Sequence, residues 1–168
     1  MVDVEESVEN IGDAVGLRVS YLAPDTEQRF DPQAVLDLIG AALLAASLKA
    51  LFAGLTKPIE AASQKYTSFT LNWTRDWLSA HLGSAFKKKA TGDDRDEAIQ
   101  AVEVDLRKVL DSLPDASISV NDMVSASRDG IMEFLTAKGI PIEQSERISD
   151  VVRDQVLALL SEKAHQST

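Results

Sequence analysis

Residues 34–55 read AVLDLIGAALLAASLKALFAGL, and the eleven residues between Asp37 and Lys49 carry one polar side chain, that of Ser47. A helix that is apolar on every face must be buried on every face, in protein or in lipid. Any fold open to this chain has to sheath that helix. Within it Ala42, Ala46, Ala50 and Gly54 recur every four residues as a smooth ridge. Leu44, Leu48, Leu51 and Leu55 form a bulky ridge beside it. Small residues in a row let a second backbone come close, which adds dispersion contact.

Two readings of this helix follow. In the first it is the centre of a bundle and amphipathic helices surround it. In the second it meets lipid, permanently or on a signal, because the eighteen residues 38–55 reach the lower limit for spanning a bilayer. Lys49 opposes insertion by about 2.5–3.5 kcal/mol if it sits centrally. Snorkelling towards the Leu55 end reduces that cost. Packing of the alanine ridge against a second copy is compatible with both readings.

The rest of the chain supplies candidate neighbours. With 168 residues it suits one domain. Its 45% hydrophobic content is enough to fill a core. Only 8 Gly and 5 Pro argue for long elements and few tight turns. Val4, Val8, Ile11 and Val15 make one apolar stripe on an acidic helix over residues 3–15, with Gly12 and Gly16 weakening its end. Residues 17–30 alternate around the turn Ala23-Pro24-Asp25-Thr26 and read as a short β-hairpin or an ordered loop. Asp31-Pro32 starts the apolar helix. Gly54 and Thr56-Lys57-Pro58 stop it and open the next, with Thr56 as the candidate cap.

The next helix carries Tyr66, Phe69, Trp73 and Trp77 and continues through Leu82 to Phe86, about thirty residues unless Gly83 ends it early. Asp93 or Asp94 caps a third long helix with the stripe Ile99, Val102, Leu106, Val109 and Leu113. A fourth is capped near Ser119 or Asn121, carries Val124, Ile131, Phe134 and Leu135, and stops at Gly139. Pro141 opens a last one that buries Ile148, Val151, Val152, Val156, Leu159 and Leu160, and the tail frays from Ala164. The expectation is an all-α bundle of five or six helices around a central apolar helix. Its parts are an acidic segment 1–33, an apolar hairpin 34–90, a three-helix segment 91–163 and a tail 164–168.

Composition removes several kinds of chemistry. There is no Cys, hence no disulfide, thiol nucleophile or thiolate-bound metal, and with 2 His a multi-histidine metal site is excluded. The start, MVDVEE, has no basic region followed by an apolar run, so the expected compartment is the cytoplasm. His81 has no Ser, Asp or Glu at a spacing that marks a triad. The run Asp93, Asp94, Asp96 and Glu97 lacks the alternation and glycine of a calcium loop and reads as helix capping. No glycine-rich phosphate loop, H-E-x-x-H or G-x-S-x-G is present. Arg95, Arg107, Lys108, Arg128, Arg147 and Arg153 alternate with carboxylates as on a solvated surface, so nucleic-acid binding is not expected.

The net charge of -10 is unevenly spread: -6 over residues 1–33, +4 over 34–90 and -8 over 91–168. The most apolar third is also the only cationic one, which suggests that acidic parts shield it. The expected function is a non-enzymatic protein–protein interaction module, cofactor-free and self-associating through apolar helix faces. Its candidate contacts are Ala42, Ala46, Ala50 and Gly54, with Trp73 and Trp77 as aromatic anchors. The alternative is a membrane-active protein that inserts residues 34–86, with Lys87, Lys88 and Lys89 meeting anionic lipid. Core packing is the simpler reading of the aromatic stripe, and a solvated linker that of the lysines.

Overall fold

The computed structural model describes residues 3–16, 32–56, 63–82, 92–113 and 119–166. Among these it is all-α, with no strand and six helices: α1 (Val4–Val15), α2 (Pro32–Thr56), α3 (Ser63–His81), α4 (Gly92–Ser112), α5 (Val120–Ala137) and α6 (Ile142–Gln166). The expected hairpin at 17–30 and the lysines at 87–89 lie outside the described residues.

Local chemistry sets most of the helix ends. The Asp3 carboxylate accepts from the Glu6 N–H at 2.8 Å and starts α1; Gly16, at φ 55°, stops it. Ser119 caps α5 by accepting from Asp122 N–H at 3.3 Å. That helix ends where Gly139 takes φ 92° and Ile140 N–H reaches back to Leu135 O at 3.2 Å. Pro141 then leads into α6, its carbonyl accepting from Ser145 N–H at 2.9 Å.

Three boundaries differ from the sequence expectation. Thr56 is the last residue of α2 rather than a cap of the next helix, and its hydroxyl donates back to Phe52 O at 2.8 Å. α3 has 19 described residues, about 28 Å, and ends at His81, in keeping with the early end that Gly83 offers. α4 starts at Gly92, so Asp93 and Asp94 lie inside the helix and do not cap it, and the Asp94 carboxylate sits in the first turn, where the helix dipole favours it. α6 stays helical to Gln166, beyond the fraying expected from Ala164.

The bundle is organised around α2, which packs against all five other described helices. Ile39, Leu43, Leu44, Leu48 and Leu51 are fully buried in one continuous core with Val8, Ile11, Leu78, Val109, Leu135, Val152 and Leu159. The central-helix reading therefore holds. α2 is also the one described helix long and apolar enough to cross a membrane, and 72% of its apolar window is buried inside the bundle. Phe134 is the one buried aromatic side chain among the described residues. The core is otherwise aliphatic, and Phe52 and Trp77 are partly buried against it.

Candidate functional site

The small-residue ridge is spent inside the chain. Ala46 and Ala50 have no exposed surface, Gly54 is buried, and Ala42 is partly buried against the core. A Cβ on Gly54 would collide with the Met123 methyl of α5. The tightest approach along α2 lies at Gly40, which the ridge does not include. A Cβ there would fall on the Val8 carbonyl and stand 3.1 Å from Gly12 N. One on Gly12 would stand 3.0 Å from Leu36 O. The glycines that weaken helix propensity are thus the crossing point of α1 and α2. Gly130 plays the same part where α5 meets Leu71 and Thr74 of α3.

The aromatic stripe is part-buried, and the side chain of Tyr66 lies outside the described residues. Trp73 and Trp77 are half-buried on α3, with Trp77 leaning on the core cluster. Their rings stack nearly parallel at 6.5 Å, and the exposed His81 continues the row at 4.8 Å from Trp77. Spacings of four residues place all three on one helix face. The His81 Nδ1 lies 3.0 Å from Trp77 O, which fixes the ring against the helix. His81 belongs to this surface, and its place four residues after Trp77 was the available signal. Phe69 begins the same face, half-buried beside Gly54.

Every charge and hydroxyl of the apolar run has an inter-helix partner. Asp37, with 3% of its side chain exposed, accepts from Arg95 Nε at 2.6 Å. Lys49 pairs with Asp105 of α4 at 3.1 Å. The two pairs advance together along the chain, so α2 and α4 run parallel. The other Asp105 oxygen, Oδ2, is buried with no hydrogen-bond partner among the described residues. Ser47 and Ser127 hydroxyls meet at 2.8 Å, and Ser127 meets Thr74 at 2.9 Å. Thr74 donates its one proton to Thr70 O at 2.8 Å. Ser127 must therefore donate to Thr74, and Ser47 to Ser127. This buried chain joins α2, α3 and α5.

Arg95 is the charge hub, not the solvated side chain its sequence neighbours suggest. Its side chain is 18% exposed and reaches Glu9 at 2.7 Å and Glu5 at 3.2 Å as well as Asp37. The hydrogen bond to Asp37 raises its pKa above the ordinary guanidinium value, against the opposing effect of burial. Stabilisation from a raised pKa is present below the group's ordinary value and lost only above the folded one. The guanidinium thus stays charged wherever the protein is handled.

Among the described residues no group of three or more His, Asp or Glu side chains could hold a metal ion. The open groove of about 620 Å³ between α3 and α5 is lined by Met132, Ala137, Ile142 and the Arg75–Glu133 pair. A second groove, of about 500 Å³, lies between α1 and α4. Neither aligns a nucleophile with a base. No family model, curated protein or solved structure matches the chain.

Proposed function

We propose that this protein is a non-enzymatic helical interaction module that binds protein, a second copy included, through the Trp73–Trp77–His81 face of α3. The observation that carries the reading is where the rings lie: the core fully buries one described aromatic side chain, while two part-buried tryptophans and an exposed histidine form a stacked row along one face of α3. Large rings bring much contact area at little entropic cost and are enriched at interface centres. The alanine ridge, covered within the chain, is left to hold the bundle. No cofactor or nucleic acid enters this reading, and the cysteine-free sequence suits a cytoplasmic setting.

Solution mass over a concentration series tests self-association through this face. Trp73→Ala with His81→Ala should weaken it by about tenfold or more, the scale of one interface anchor, with little change in thermal stability. Unchanged association would remove the aromatic face from the interface.

A second reading is favoured by α2 itself, whose 21 residues Leu36–Thr56 are long and apolar enough to span a bilayer. On this reading residues 34–86 insert and the acidic segments stay in water. Flotation with anionic liposomes distinguishes the two, and retention in the soluble fraction at neutral and mildly acidic pH contradicts insertion.

A further inference from the structure

We propose that α1 is a releasable strap over the start of α2, with Arg95 as its catch. α1 has twelve residues, too few for a stable isolated helix in water, so its helicity depends on being seated. Part of that seat is the buried stripe Val4, Val8, Ile11 and Val15. It is completed by the contact with α6, where Asn10 donates to Gln155 at 3.5 Å, and by the pairing of Glu5 and Glu9 with Arg95.

Two features make the strap separable. Arg95 has two sets of partners of opposite character. Glu5 and Glu9 are 58% and 47% exposed, whereas Asp37 is 3% exposed. Lifting α1 therefore leaves the Arg95–Asp37 pair between α4 and α2 in place. Half-exposed pairs are also the ones that salt screens. The second feature is Ser7, fully buried by the docking of α1 with its hydroxyl unpartnered among the described residues. A desolvated hydroxyl without a hydrogen bond opposes docking, so the seat is weaker than its apolar stripe suggests. Release would uncover Leu36 and Gly40, at the start of the apolar run. The strap follows from the packing alone and does not depend on which partner uses the aromatic row.

The natural chain has no cysteine, so one introduced thiol reports one position. Ser7→Cys places it under the strap, and Val124→Cys places it in the buried face of α5 as a reference. Thiol labelling of the full-length protein should be at least about tenfold faster for S7C than for V124C, as expected of local opening. Adding Glu5→Gln with Glu9→Gln should speed S7C about tenfold more, the scale of two half-exposed ion pairs, and leave V124C unchanged. Raising salt to about 0.5 M should do the same without those substitutions. Equal acceleration at both thiols would overturn the strap, since the bundle would then open as a whole. An S7C rate indifferent to both salt and E5Q/E9Q would overturn the catch.

Discussion

The two halves of α2 are held in different ways. Its first half meets α1 and α4 through a glycine crossing and the Arg95 charge hub. Its second half meets α3 and α5 through the Ser47–Ser127–Thr74 hydroxyl chain and the Gly54–Met123 contact, and keeps one ion pair to α4, Lys49–Asp105. The attachment to α1 is ionic and half open to water; that to α3 and α5 is neutral and dry. Burial alone gives both halves the same look. The difference lies in how each responds to salt, because screening acts on exposed charges and hardly on buried hydroxyls. A helix sheathed in this way can loosen at one end and stay fixed at the other.

The largest expected effect is on the charged side. Arg95→Met leaves the Asp37 carboxylate buried without its cation and should cost about 3 kcal/mol in urea unfolding. Adding Asp37→Asn should recover part of that loss, and a full additive penalty would show that the pair does not act as a unit. Gly40→Ala should cost about 2 kcal/mol, because the new methyl meets the backbone of α1, which cannot turn aside. The dry side responds more mildly. Ser127→Ala removes the middle of the hydroxyl chain and should cost about 1–2 kcal/mol, the same at low and high salt. Glu5→Gln with Glu9→Gln should cost about 1 kcal/mol at low salt and nearly nothing at high salt. An effect of S127A that fades with salt, or of E5Q/E9Q that does not, would break the comparison.

Much of this fold is legible in one dimension. The stripe Val4, Val8, Ile11 and Val15 is buried as its spacing predicts, and Ser119, Gly139 and Pro141 mark helix ends where their backbone preferences place them. The eleven-residue apolar stretch identifies the central helix because no other position in a soluble bundle satisfies it. Periodicity, however, gives the face of one helix and not the element that meets it. Arg95 looks solvated because its neighbours in sequence are acidic, while its partners Asp37, Glu9 and Glu5 lie 58, 86 and 90 residues away. Gly40 looks like an interruption of an apolar run, and only the crossing of α1 gives it a purpose.

The candidate site was partly legible for the same reason. The spacing of Trp73, Trp77 and His81 fixes a shared face. Whether that face turns inward depends on how much aliphatic volume other helices bring, and here they fill the core without it. The alanine ridge shows the converse. Small residues announce a close neighbour but do not say whether it belongs to the same chain, and in this bundle it does.

The central claim is that the start of α2 is covered by a charge-held helix, α1, while α3 and α5 are fixed to it by uncharged contacts. Amide hydrogen exchange of the unaltered protein at low and at high salt tests it most directly. The prediction is that protection of Val8 and Ile11 in α1 falls about tenfold on raising salt, while that of Ile131 and Leu135 in α5 does not change. Equal loss in both helices, or no loss in α1, would contradict it.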